Sequence, residues 1–357
     1  MTPEALARVA LATEAGPALE AVPAAPGVGQ LLGPEGRSLL IGTASNLRRW
    51  TASHLGLARP RPAAGGRARR PKTSLAGIAT AVAWVETDGP FRQRLAYERL
   101  AAPLVPVSAR RDLKPPAFLH LDPAERFPRV TVRAAGEQAL YGPFRDRRAA
   151  EKAKSALQRL FPLRPCDYSF EPDAALPLGL ACLYAQVRSC AAPCLMRASE
   201  ADYRALAASA AAWLADPSRR EDPFRMADHR PGASARPVIP ATVAAASGRA
   251  VIVDRGRRSV GLFPVHGGCV LDAAALVMPE AELEAAVHRL SWPETEAAPD
   301  WPWLTAWLRS PKARASFVVV RDSWSAAELD AALRAALPRG SADRAAGDNV
   351  GATRGEA

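Results

Sequence analysis

A mixed α+β protein with small antiparallel sheets is the architecture expected of these 357 residues. Three observations lead there. Short apolar runs of strand length alternate with helical periods, and Gly and Pro turns bound them. The chain carries 33 prolines, which interrupt helices and keep them short. Hydrophobic residues make up 48% of it, enough to bury a core in two or three domains.

Taken in order, residues 1–22 read as a short helix followed by a flexible lead-in. Gly27 to Leu32 and Ser38 to Gly42 are apolar strands, and Gly33-Pro34-Glu35-Gly36 between them is a hairpin turn. Asn46 caps a helix running to about Leu55. Residues 58–72, rich in Pro, Gly and Arg, read as a mobile loop. Ile78 to Glu86 is a strand, and Pro90 opens a helix to about Ala101. This is a compact β–β–α–loop–β–α unit over 23–102.

A connector and cysteine-bearing module follows over 103–215. Its Pro-rich start, 103–117, leads to strands at Arg129 to Arg133 and Ala139 to Tyr141. Asp146 to Phe161 is a helix with Ala149, Ala153, Ala156, Leu157 and Leu160 on one side. Residues 162–198 are loop-rich, and Ser199 starts a helix to about Leu214 in a near capping box. Residues 216–246 are a polar linker. A small C-terminal α/β domain spans 247–337, with strands at Ala250–Asp254, Ser259–Phe263, Cys269–Leu271 and Phe317–Val320. Helical periods lie near 279–290 and 301–309. Residues 338–357 read as a disordered tail. Asp254 and Asp272 stand alone on strand-like segments, as turn or edge-strand polarity. Cys269 reads as a buried thiol, and Trp50 and Trp84 as core.

The net charge is +11. Leu40 to Arg133 hold 17 Arg and Lys against 6 Asp and Glu, an excess equal to that whole charge. A basic region this focused points to a phosphate-bearing partner, DNA first. Arg48, Arg49, Arg67, Arg69, Arg70 and Lys72 are the candidate DNA contacts. No apolar run is long enough for a membrane span and residues 1–26 lack the pattern of a signal peptide, so the expected location is cytoplasmic, with no membrane partner.

Cys166, Cys182, Cys190 and Cys194 fall within 29 residues, spaced C-x15-C-x7-C-x3-C. In a reducing compartment such a group points to a metal rather than to disulfides. Thiolates suit zinc or an iron–sulfur cluster, and the spacing does not choose between Zn²⁺ and [4Fe–4S].

The order of the motifs resembles the N-terminal half of UvrC, the nuclease subunit of bacterial nucleotide-excision repair. Ala25-Pro26-Gly27-Val28-Gly29 and Leu40 to Arg49 are similar to its GIY-YIG opening. Glu125-Arg126-Phe127-Pro128-Arg129, Tyr141-Gly142-Pro143-Phe144, Leu160 to Cys166, Cys182 to Cys194 and Ser199 to Tyr203 resemble its later segments. The match runs from about Pro23 to Leu214. The resemblance implies a small antiparallel GIY-YIG-like sheet with flanking helices, then a cysteine-rich helical module. It also implies a [4Fe–4S] cluster on the four cysteines.

The nuclease positions themselves are mostly replaced. The first family Tyr falls on Gly29, the second on Leu40, the Lys on Thr43, and the helix Arg on Trp50 beside Arg49. A later Tyr falls on His54, and the metal-binding Glu on Tyr97, one place before Glu98. The candidate substitutes for catalysis are Arg49, with Arg48 as an alternative phosphate contact, His54 as base and Glu98 as metal ligand. Mg²⁺ or Mn²⁺ would be needed if the nuclease worked. The resemblance implies a DNA-binding protein related to the excinuclease subunit, with weak or no nuclease activity and other excision-repair proteins as partners. The alternatives are an active structure-specific endonuclease with a rewired site, and an iron–sulfur redox-sensing interaction protein.

Overall fold

The computed structural model describes residues 6–11, 19–57, 74–106, 110, 113, 116–134, 139–176, 182–215, 244–245, 248–310, 313, 315–321 and 323–337. Among these, helices and three antiparallel sheets give a mixed α+β architecture.

The first sheet contains β1 (Ala7–Ala10), β2 (Gly27–Leu32), β3 (Ser38–Ala44) and β4 (Ala81–Glu86), in the order β1-β4-β2-β3. A tight turn over Pro34–Gly36 joins β2 and β3, with Glu35 and Gly36 both at positive φ. Helix α1 (Leu47–His54) is capped as expected, the Asn46 side chain accepting from the Arg49 N–H at 2.9 Å. Helix α2 (Pro90–Ala101) begins at its proline. Strand β1 corrects the helix expected within 1–22. Its alanines favour helix locally, but pairing with β4 across some 70 residues decides their state. The 58–73 insert, the candidate contacts Arg67, Arg69, Arg70 and Lys72, and the 338–357 tail lie outside the described residues.

Alternate residues of β2 face opposite sides of the sheet. Leu31 packs with Leu47 and Leu55 of α1, whereas Val28 packs with Ala96 and Leu100 of α2. The helices thus cover opposite faces.

The second sheet contains β5 (Ala117–His120), β6 (Thr131–Arg133), β7 (Leu140–Phe144) and β8 (Ala244–Ala245). Strand β5 lies at the edge of the Pro-rich connector, where proline density hides it from periodicity. Ala117 and Leu119 face helices α3 (Arg147–Leu160) and α5 (Glu200–Ala215). Phe118 points the other way, 5.6 Å in ring-centroid distance from Trp301. A single turn, α4 (Leu183–Gln186), interrupts the loop-rich stretch between these helices.

The third sheet contains β9 (Arg249–Arg255), β10 (Val260–His266), β11 (Cys269–Val270), β12 (Leu276–Met278) and β13 (Phe317–Val320). On β9, Val251 and Val253 face α6 (Leu283–Val287) and α8 (Ala326–Ala336). Ala250 and Ile252 face α7 (Trp301–Trp307) and α2. The expected strands and helices of 247–337 are present, with shifted ends. Strand β12 and helix α8 were not expected, although Ser325 and Glu328 form a full capping box at the start of α8.

One buried cluster joins Phe91 and Leu95 of α2, Phe118, Leu140, Ile252, Phe263, Trp303 and Leu304. It is reinforced by polar contacts at both ends of α2. Asp254 is not edge polarity: β9 lies between β10 and β13, and its carboxylate is buried. It accepts the N–H groups of Phe91 and Arg92 at 3.0 Å each and pairs with the Arg92 guanidinium at 3.0 Å. A carboxylate at a helix N-terminus meets unsatisfied N–H donors and the positive end of the dipole. In return, Asp88 accepts the N–H groups of Arg257 and Arg258 and the Ser259 hydroxyl, at the turn between β9 and β10. At the far end of α2, Arg99 grips Asp272, Asp300 and the Val270 carbonyl.

Replacing Asp254 by Ala leaves three donors without their acceptor. Chemical denaturation should show a loss of about 3–5 kcal/mol, the range for breaking a buried charged pair. Burial pushes the Asp88 carboxyl up, but Ser259, the two N–H groups and Arg92 outweigh it and hold it below the usual carboxylate range. A depressed folded pKa gives stability above the unfolded value, near 3.8, which is lost as pH falls through the lower folded value. Acid unfolding of Asp88→Asn should therefore be shallower than wild type below about pH 4; equal acid sensitivity would remove Asp88 from the account.

Candidate functional site

The motif residues of the first sheet meet at a Gly–Gly pair. Gly29 of β2 and Gly42 of β3 stand opposite each other. The indole of Trp50, from α1, lies over both. A Cβ built on Gly29 would sit 2.8 Å from the Trp50 ring, and one on Gly42 would sit 3.3 Å from its Nε1. The tryptophan thus occupies the space that side chains at these two positions would need. His54, one turn on, meets Trp50 in a tilted ring contact with centroids 4.9 Å apart. Leu40 pairs with Leu31, and Thr43 is exposed.

The remaining substitutes do not join this group. Tyr97 packs with Val28 and Ile41 on the α2 face, the opposite side of the sheet from Trp50 and His54. Glu98 is buried in an ion-paired cluster, with Arg110 on one carboxylate oxygen and Arg94 at 2.5 Å from the other. Both its oxygens face guanidinium groups, a poor setting for a divalent cation. Arg110, one of two adjacent arginines in the connector, gave no local signal of this partnership.

The basic candidates divide in the same way. The Arg48 guanidinium donates to the carbonyls of Val22 and Glu20, so it fastens the 19–22 turn to α1. Arg49 is exposed beside it. Arg92, Arg94, Arg99, Arg110 and Arg126 all pair with carboxylates. Most of the local excess charge therefore resides in 58–73, which carries six Arg and Lys and no acid.

The thiol module hangs on one buried tyrosine. Tyr203 of α5 donates its hydroxyl to the Pro128 carbonyl at 3.2 Å and accepts the Arg164 N–H at 2.6 Å. Burial raises its hydroxyl well above the usual phenol range. The Arg164 side chain donates to the carbonyls of Phe127 and Tyr168 and lies over the Phe170 ring. These contacts hold the segment that carries Cys166 against the rest. Two turns of left-handed backbone shape the other end: Ala192 and Met196 both have φ of 53°, on either side of Cys194. The Cys190 thiol accepts the Ala192 N–H at 3.3 Å.

Among the described residues, no three His, Cys, Asp or Glu side chains are placed to hold a single metal ion. The thiols are nonetheless electrostatic neighbours. Burial pushes Cys190 up to about 11, and Cys166, Cys194 and Cys182 add to the rise. Burial likewise raises Cys194, again with contributions from Cys166 and Cys182. Cys269 is apart from them, its thiol buried and donating to the Ala297 carbonyl.

The protein is mixed α+β, and its middle part is similar to a known domain. Residues 117–213 match the family described as UvrC/Cho excinuclease, middle domain. The chain is 30% identical to the UvrABC system protein C of Rhodospirillum rubrum over 207 residues, 57% of this chain and 30% of that protein. It is also 30% identical to the same protein of Alcanivorax borkumensis over 198 residues, 54% and 31% of the two chains. The chain spans about a third of the length of these curated relatives. No solved structure matches it. Among the described residues, no helix is long and apolar enough to cross a membrane.

A left-handed conformation costs an alanine about 1–2 kcal/mol that glycine does not lose. Ala192→Gly should therefore raise the melting temperature or leave it level, against the usual cost of a glycine substitution. A clear drop would mean that the turn beside Cys194 is not left-handed.

Proposed function

We propose that this chain is a DNA-binding protein related to the excision-repair excinuclease subunit, with a GIY-YIG-like sheet that has lost its nuclease site. The observation that carries the reading is Trp50 seated over Gly29 and Gly42. Two family tyrosines are gone, and a large apolar ring fills the place where a scissile phosphate and its metal would need polar groups. Glu98, committed to Arg94 and Arg110, supports the same conclusion. The DNA contacts would be Arg49 and the 58–73 cations, with Arg48 lending its charge at the edge of α1. Other excision-repair proteins are the partner class implied by the similarity.

Four cysteine thiols within 29 residues suit a soft-ligand centre. A [4Fe–4S] cluster is preferred over zinc because the resemblance to the excinuclease subunit implies one on these four cysteines. Cys166, Cys182, Cys190 and Cys194 would hold it. Its contribution here would be to fold and fix 162–198, a stretch with little regular structure.

Full-length protein should bind duplex DNA with an affinity that falls as salt rises. Replacing Arg67, Arg69, Arg70 and Lys72 by Ala should reduce the log–log salt slope by about 3–4, near 0.9 per lost phosphate contact. Plasmid nicking should be absent with Mg²⁺ or Mn²⁺. Metal-dependent nicking that disappears in Glu98→Ala would overturn the non-cutting reading. Anaerobically purified protein should show visible absorption and bound iron and sulfide, both lost in Cys194→Ser; zinc alone would reject the cluster.

A further inference from the structure

The first sheet has a second hollow, on the face opposite Trp50. It encloses about 270 Å³ and lies beyond the C-terminal end of α2. Its floor and walls are Leu6, Leu32, Ala83, Leu100, Pro103 and Leu104. The polar groups at its rim are Arg8, Gln30 and Ser38.

Strand register explains why the hollow exists. Arg8 of β1 pairs with Ala83 of β4, and Ala83 pairs with Gln30 of β2. The three form one row across the sheet, and their side chains share a face. Neighbouring strands are about 4.8 Å apart, so Arg8 and Gln30 are separated by roughly 9–10 Å with only a methyl group between them. A flat ring can lie on that methyl with the two polar side chains at its edges. Ser38 belongs to the same face, because it pairs with Leu32 across a bulge that skips Leu39.

The rim groups are also unspent. Among the described residues, the Arg8 guanidinium has no ion pair, and neither the Gln30 amide nor the Ser38 hydroxyl has a hydrogen-bond partner. Leu104, on the wall, is 42% exposed. A lone inorganic anion would leave this apolar lining wet. A purely apolar ligand would leave the cation and the amide unused. The combination fits a planar heterocycle that carries hydrogen-bonding edges and a phosphate. A Gln amide can pair with a base edge, and Arg can pair with a phosphate or a guanine edge.

We propose that this hollow binds one unstacked nucleotide, with Gln30 on the base edge, Ala83 under the ring and Arg8 on the phosphate. The nucleotide has two sources: an unpaired position in DNA, or a free mononucleotide. The first source rests on the DNA-binding reading above. It would let the protein favour DNA that exposes a base over intact duplex, since an extruded base loses its stacking and gains a pocket.

The test uses full-length protein and fluorescence anisotropy with two probes, a blunt duplex and the same duplex with a three-nucleotide overhang. Wild type should bind the overhang probe several-fold more tightly. Gln30→Leu, on a half-buried side chain, and Arg8→Ala, on an exposed one, should abolish that preference and leave blunt binding within about twofold. A third arm measures dAMP by saturation-transfer NMR. Signal from dAMP that Gln30→Leu removes, with no overhang preference, supports the pocket and assigns it to free nucleotide. An overhang preference that survives both substitutions overturns the proposal, as does the absence of both preference and dAMP signal. Blunt duplex failing to bind defeats the DNA-binding reading instead, and the dAMP arm still decides the pocket.

Discussion

The exchange of carboxylates between α2 and the β9–β10 hairpin holds this molecule in one piece. Each partner supplies what the other lacks. The helix start has N–H donors and no acceptor, and Asp254 provides one. The hairpin turn has the same need, and Asp88 meets it. Because both carboxylates are engaged by several donors, the geometry is specific in a way that the apolar cluster beneath it is not. Glycine is required on each side of the exchange. A Cβ at Gly89 would come within 2.1 Å of Asp254, and one at Gly256 within 2.2 Å of the Asp88 carbonyl.

Helix α2 consequently serves two masters. Ala96 and Leu100 close the first sheet, with Gln93 donating to the carbonyls of Gly27 and Ala44. Phe91, Arg92, Leu95 and Arg99 belong to the third sheet. Here the helix is occupied with structural contacts on both sides, and its one buried Glu is neutralised by two arginines. The helix acts as a joint between two sheets, and on the far side of the first sheet Trp50 packs closely over Gly29 and Gly42.

Local chemistry made much of this readable in advance. Asn46, Pro90, Asp146 and the Gly33–Gly36 turn announce the elements they start, because caps and turns depend on neighbours within a few residues. The third sheet was visible in its alternation, since each strand buries one face on each of two cores. The cysteines stand out as a group because four of them fall within 29 residues. What escaped is what distance decides. Strand β1 is a strand only because β4 accepts it. Asp254 looked isolated because its partners lie more than 160 residues away. The same holds for Glu98 and Arg110, whose spacing of twelve residues gives no periodic signal.

The stretch 216–243 lies between α5 and β9 in sequence, and among the described residues several ion pairs join the two sides. Asp254, Asp272 and Asp300 all sit after it, and Arg92 and Arg99 all before it. Cleaving the chain in that stretch would separate it covalently without breaking a bond of the residues that make the described ion pairs of α2. The two pieces would behave as a complementing pair, each the other's missing half, held by about the same surfaces that hold the intact protein. Expressed apart, each would expose one side of the cluster around Phe91 and Phe263 to water, and neither would be an autonomous unit.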